Sequence, residues 1–181
     1  MISTSLTKFD LLSKPSLIPT DHYPLQHNLL TPRTIQAHCT FLPPPSLNRM
    51  SQSGTAVAHC PLSNAYFSST EIFRLREALD RGVKVGLGSD IAGGYELGIQ
   101  GVMRMSVAVS RLREGLLKRE GQTQGGPAVS NHRIDWKESL YLATKGGAEA
   151  MGLPQGSFNV GAPFDAQQSA QIFSHSGRMY H

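Results

Sequence analysis

The sequence predicts an α/β fold in which short parallel strands are joined by crossover helices. Three observations carry this expectation. Short β-prone runs at 34–38, 55–59 and 83–87 alternate with stretches of helical apolar spacing. Strand followed by helix at this spacing is the pattern of a parallel sheet. Each run also delivers a residue able to do chemistry at its end, namely His38, His59 or Asp90. In parallel α/β folds the C-terminal strand ends are where chemistry sits.

Taken in order, residues 1–28 contain Pro15, Pro19 and Pro24 and no sustained periodicity, so they are expected to be irregular or disordered. Thr34-Ile35-Gln36-Ala37-His38 is the first strand, and Pro43-Pro44-Pro45 blocks its direct continuation. Thr55-Ala56-Val57-Ala58-His59 is the second. In the third, Val83, Val85 and Leu87 alternate with Lys84, Gly86 and Gly88, and the run ends at Ser89 and Asp90.

Between the second and third strands, Ser68 to Glu71 has the form of a capping box opening a helix with an Ile72, Leu75, Leu79 stripe that Gly82 stops. A longer helix is expected from Glu96 to Lys118, with Ile99, Val102, Val109, Leu112 and Leu116 on one face. Lys118 to Asn131 is polar and Gly-rich and reads as a surface loop. Asp135 with Glu138 forms a second capping box. It opens a helix in which Trp136, Leu140, Ala143, Gly147 and Ala150 share a face, closing at Gly152.

The composition narrows the function classes. A chain of 181 residues holds one ordinary domain or a piece of something larger. The net charge is +4, but its arginines and lysines are interleaved with apolar positions at helical spacing, as on solvated helix faces. A nucleic-acid surface wants a denser basic stripe with aromatics among it. No apolar run is long enough to span a bilayer, and the start lacks the pattern of a secretory signal. A cytoplasmic protein is expected. Cys39 and Cys60 are too few for a disulfide framework.

Side-chain alternation sorts the strand ends. In the third strand, Val83, Val85 and Leu87 would face helices, leaving Gly86, Gly88 and Asp90 on the other side. Small glycines beneath a carboxylate suit close approach of a ligand or metal, and Gly93-Gly94 permits a tight loop afterwards. Asp90 is thus a candidate metal ligand and general base on a metal-bound water; the competing reading is a helix or loop cap. Gln36 and His38 share one face, so His38 can polarise a substrate carbonyl or meet a developing charge, or be a satisfied structural histidine. His59 shares parity with Thr55 and Val57, which favours a structural role. The Ala-His-Cys repeats at 37–39 and 58–60 do not make a Cys/His zinc site, because neighbouring strand residues face opposite ways and no C-x-x-C completes one. The H-x-E with P-C-x-x-C of cytidine-deaminase zinc sites has no counterpart either.

Several segments resemble a known family. His59-Cys60-Pro61-Leu62-Ser63-Asn64 and Val85-Gly86-Leu87-Gly88-Ser89-Asp90 resemble the last strand ends of amidohydrolase-superfamily deaminases. More narrowly, Asp90-Ile91-Ala92-Gly93-Gly94-Tyr95, the run from Leu142 to Leu153, and Gly156 to Gly161 with Phe164-Asp165-Ala166 resemble the guanine deaminases. So does Leu29-Leu30-Thr31-Pro32 leading to Ala37-His38. The likeness runs from about Leu29 to Ala166.

The resemblance implies the C-terminal part of a TIM-like (β/α)8 barrel, about strands 6 to 8 with their helices, from a metal-dependent hydrolase that converts guanine to xanthine and ammonia with one zinc ion. It divides the chain into 1–28, a partial barrel over 29–153, and the start of a C-terminal β-domain over 154–181. By it, Asp90 is the last-strand metal ligand and activates the attacking water, and His38 contacts the purine. Ser63 and Asn64 shape the pocket. The family's His-x-His and His-x-x-Glu, which supply the other ligands and the proton shuttle, have no counterpart, and His22 and His27 form neither spacing. The isolated chain is therefore expected to be poorly stable and inactive. The competing functions are another deaminase or chlorohydrolase-like enzyme of the superfamily, and a non-catalytic remnant that binds an intact subunit of an enzyme that is often a homodimer.

Overall fold

In the computed structural model, which describes residues 29–124 and 131–163, the β-prone runs form three short strands. They are β1 (Ile35–Ala37), β2 (Ala56–His59) and β3 (Val85–Leu87). The order is β1-β2-β3 and both pairings are parallel. The register sets Gln36 opposite Val57 and Val57 opposite Val85, with Ala37, Ala58 and Gly86 on the next rung. All three strands therefore end on the same edge of the sheet.

The crossovers are helical, but not always where expected. The proline run after β1 opens a helix, α1 (Pro44–Ser53). Proline at a first helical position has its φ already set and lacks an amide the helix cannot use there. Gly54 ends α1 in the left-handed region, φ 69°, with its N–H on Met50 and Ser51 carbonyls. Two short helices, α2 (Pro61–Tyr66) and α3 (Leu75–Asp80), lie between β2 and β3. The capping box expected at Ser68 to Glu71 does not form. Ser69 Oγ instead donates to the Glu71 carbonyl, and α3 begins later, behind Arg74 without a side-chain cap.

After β3 come α4 (Ile99–Gln124), α5 (Trp136–Ala143) and α6 (Lys145–Met151). α4 continues past Lys118 into the stretch expected to be loop. Its buried side also differs from the apolar stripe. Val102 is buried, but Leu112 and Leu116 are exposed, while Ser106, Ser110, Arg113 and Glu114 are buried. Each of these polar groups has a partner. Ser106 Oγ meets Ser139 Oγ at 2.9 Å, Ser110 Oγ accepts from Ile134 N at 3.1 Å, and Glu114 accepts from the amides of His132 and Arg133. Buried polar groups persist where they are hydrogen-bonded, so the 131–139 segment, and not hydrophobicity alone, selects the face of α4.

The helix expected from Asp135 to Gly152 is broken in two at Thr144 (φ −120°, ψ −94°). Its start is as expected. Asp135 Oδ1 accepts from Glu138 N and Glu138 Oε2 accepts from Asp135 N, both at 2.9 Å. Its buried face agrees only in part: Ala150 is buried and Gly147 packs against Gly86, but Trp136 and Leu140 are exposed, and Ser139, Leu142, Gly146 and Ala148 are buried. Gly152 closes α6 at φ 69°.

Val57, Val83 and Val85 join Leu47, Met50, Phe73, Leu75, Ala78, Ile134 and Leu142 in the core. The opposite side of β3 is also filled. A Cβ at Gly86 would stand 2.9 Å from Gly147 Cα, and one at Gly88 would stand 2.9 Å from Cys60 Sγ. These glycines admit the α6 backbone and a thiol, which corrects the expectation that they leave room for a ligand or metal. The irregular segment expected over 1–28, and residues 164–181 of the expected β-domain start, lie outside the described residues; 154–163 contains no strand. Among the described residues no helix is long and apolar enough to cross a membrane.

Candidate functional site

The chemistry-bearing residues collect at the C-terminal edge of the sheet. His38 directly follows β1, with its N–H on the Ala58 carbonyl at 2.9 Å and φ 64°. Asp90 lies just beyond β3 at φ 50°. Non-glycine residues in this left-handed region carry a cost of about 1–3 kcal/mol each that the surrounding structure must offset. Around Asp90 the offset comes from a tight loop in which Gly94 N donates to the Asp90 carbonyl at 2.5 Å. A Cβ at Gly93 would sit 2.6 Å from Asp90 Oδ2, and one at Gly94 would overlap the Ser89 carbonyl oxygen. The Gly93-Gly94 pair is thus a steric requirement of the loop.

β2 passes at Pro61 into α2, and the first turn of that helix places Ser63 and Asn64 between the other two strand ends. Ser63 is 3% exposed and its hydroxyl donates to Asp90 Oδ2 at 2.6 Å. Asn64 Oδ1 accepts from His38 Nδ1 at 2.8 Å. His38 Nε2 then stands 3.7 Å from Asp90 Oδ2. All four residues singled out from the sequence therefore meet in one cluster.

Its polarity follows from the donor inventory. An amide oxygen only accepts, so His38 Nδ1 carries a proton, and in the neutral ring Nε2 is an acceptor. Two acceptors 3.7 Å apart form a cradle for a group with hydrogens to give, such as water or an N–H. Polarising a carbonyl through Nε2, as the sequence suggested for His38, requires the doubly protonated ring. Sequence reasoning gave Ser63 and Asn64 no chemical role, because hydrogen bonds between residues far apart in sequence leave no periodicity. It also passed over Tyr66, Phe67 and Tyr95, exposed aromatics that follow the same strand ends. Their ring centroids lie 5.2 Å (Tyr66–Phe67) and 6.0 Å (Tyr66–Tyr95) apart.

The pattern of the Amidohydrolase family matches residues 17–169. The chain belongs to the amidohydrolase family. It is 40% identical to guanine deaminase of Mus musculus over 149 residues, which cover 81% of this amidohydrolase chain and 30% of that protein. It is 30% identical to guanine deaminase of Escherichia coli, covering 77% of the chain and 28% of the relative. The chain thus spans about 30% of the length of the curated relatives it matches. Among solved structures, guanine deaminase from Bradyrhizobium japonicum superposes with a TM-score of 0.73 at 25% identity, over 84% of this chain and 34% of that one. Atrazine chlorohydrolase from Arthrobacter aurescens, complexed with zinc, shares the fold with a TM-score of 0.64 at 24% identity, over 87% of this chain and 32% of that one.

The side chains beneath the cluster are buried. His59, at the end of β2, is 1% exposed and rests against the Phe73 ring at 5.2 Å, with no hydrogen-bond partner on either nitrogen among the described residues. Burial, and secondarily the neighbouring His38, lowers its pKa to about 3, so the ring is neutral. Cys60 lies beneath Gly88, and burial followed by the Asp90 charge pushes its thiol up to about 12. Among the described residues no three His, Cys, Asp or Glu side chains could hold a metal together. Asp90 offers one donor where a catalytic zinc takes three protein ligands, so the described residues do not by themselves fit a zinc ion.

Proposed function

We propose that this chain is the C-terminal part of a guanine deaminase-type hydrolase that converts guanine and water to xanthine and ammonia. The single observation that carries the proposal is the convergence of His38, Ser63, Asn64 and Asp90 at the ends of three adjacent parallel strands. In this reading β1, β2 and β3 are strands 6, 7 and 8 of a TIM-like (β/α)8 barrel, whose chemistry belongs at that end. Asp90 is one ligand of a single zinc ion, and the other ligands come from outside the described residues. A zinc ion lowers the pKa of water that it binds.

The chain's own residues supply proton handling. Asp90 accepts one proton from the attacking water as the water oxygen bonds to the ring carbon, and returns it to the amine, which leaves as ammonia when the carbon–nitrogen bond breaks; the other water proton passes to the ring nitrogen as the carbonyl forms. His38 faces the purine at the reacting carbon, and Ser63 and Asn64 border the pocket. The setting that goes with this activity is the cytoplasm, as a homodimer.

The reading is tested by replacing the matched segment of the Mus musculus relative with residues 29–166 of this chain. The chimera is expected to bind one zinc ion and release xanthine from guanine, and Asp90→Asn to lower turnover at least ~100-fold. The isolated chain is expected to give no xanthine. A folded, zinc-loaded chimera that leaves guanine intact and hydrolyses another heteroaromatic ring would overturn the assignment.

A further inference from the structure

We infer that Ser63 and Asn64 are positioning residues that together fix the hydrogen-bonding polarity of the His38–Asp90 pair. They are consecutive in the first turn of α2, and each reaches a different outer strand end. Ser63 has one proton to give and gives it to Asp90 Oδ2 at 2.6 Å, a short distance of the charge-assisted kind. Asn64 presents an oxygen to His38 Nδ1 at 2.8 Å and takes a proton from it. The dipeptide thus donates to the acid and accepts from the base.

Two consequences follow for the site. Asp90 is held through Oδ2 alone, and among the described residues Oδ1 receives no hydrogen bond. His38 is held in the Nδ1–H tautomer, because the partner of one ring nitrogen decides which nitrogen carries the proton. A hydroxyl facing Nδ1 in place of the Asn64 oxygen could serve either tautomer, because it both donates and accepts. Ser63 itself is 3% exposed, so its hydroxyl is held in place by the packing around it, while the Asp90 side chain, 38% exposed, stays open on its other side.

The tautomer part stands without any assumption about the reaction; the effect on turnover rests on the guanine deaminase reading. The first measurement is nitrogen-15 NMR of the histidine rings in the full chain at pH 8. His38 is expected as the Nδ1–H tautomer. Asn64→Ala should shift it toward Nε2–H, and Asn64→Asp, whose carboxylate still accepts, should retain Nδ1–H. Wild-type His38 found as Nε2–H, or a tautomer indifferent to Asn64→Ala, overturns the inference.

The second measurement uses the chimera described above. Ser63→Ala should lower kcat about 10- to 100-fold, the usual size for loss of a group that orients a site carboxylate, with KM little changed. Ser63→Thr, which keeps the hydroxyl, should restore most of it. A chimera that turns over guanine equally with Ser63→Ala overturns the positioning role and leaves the deaminase reading intact. An inactive chimera whose His38 is Nδ1–H supports the tautomer assignment and counts against the deaminase reading alone.

Discussion

His38 and Asp90 approach to 3.7 Å, Nε2 to Oδ2, although they extend from β1 and β3, which are not neighbours in the sheet. Adjacent strands lie about 4.8 Å apart, so the two side chains must lean toward each other over the end of β2. What lies there is the first turn of α2, and its Ser63 and Asn64 hold one partner each. The pair is a product of the crossover after β2 as much as of the strands that carry it.

Gly93→Ala is expected to disturb this pair directly. The new methyl would sit 2.6 Å from Asp90 Oδ2, the oxygen that Ser63 holds. Overpacking of this kind costs about 1–3 kcal/mol, and urea unfolding reads it out. Gly115→Ala is the contrast. A Cβ there meets nothing within 4 Å, so the variant should be more stable by about 1 kcal/mol through helix propensity alone. Equal effects at the two positions would contradict the packing around Asp90.

His59 predicts an acid sensitivity. Its imidazole titrates at about 3 when folded and near 6.5 when unfolded, chiefly because of burial. Between those values the unfolded chain binds the extra proton, so stability rises with pH and is lost as pH falls from about 6.5 toward 3. The share lost by pH 5 is roughly 2 kcal/mol. Denaturation midpoints across pH 5 to 7 should show the slope, and His59→Leu should flatten it. An unchanged slope in the variant would show that other groups carry it.

The two cysteines should differ in reactivity. Cys60 is buried and its thiol is raised to about 12, so little thiolate forms in the folded chain at pH 8. Cys39 is partly exposed. Alkylation followed by peptide mass mapping should label Cys39 first and reach Cys60 only under denaturing conditions. Parallel labelling rates in native buffer would contradict the packing of Cys60 under Gly88.

Removing one member of the Arg113–Glu77 pair should be costly. The two meet at 2.5 Å with side chains 8% and 15% exposed, linking α4 to α3. Arg113→Met leaves a mostly buried carboxylate without its main partner, a change worth about 3 kcal/mol. Adding Glu77→Leu should recover much of that loss, because the buried carboxylate is then gone and Arg74, which also pairs with it, is 35% exposed and can turn to water. Thermal unfolding of the single and double variants checks both statements.

Much of this was legible in the residues. The alternation of Val83, Val85 and Leu87 and the strand-like run before His38 located strands that the structure contains, and the Asp135–Glu138 pair located a helix start to the residue. The same local rules failed at Ser68 to Glu71, where the capping letters are present but the chain turns by another route. They failed again on α4, where the apolar stripe through Leu112 and Leu116 is exposed and a polar stripe is buried. Local patterns state which groups can pair, and tertiary packing decides which of them do.

By itself, the sequence determined the parallel α/β order and the presence of His38 and Asp90 at strand ends, because strand and helix periods are properties of neighbouring residues. Only the tertiary structure decided that Ser63 donates to Asp90, that Asn64 accepts from His38, and that Gly86 and Gly88 are filled by α6 and Cys60. These contacts depend on sheet order, register and the path of the crossover after β2. A periodicity records which side of its own element a residue takes, and carries no information about which distant element comes to meet it.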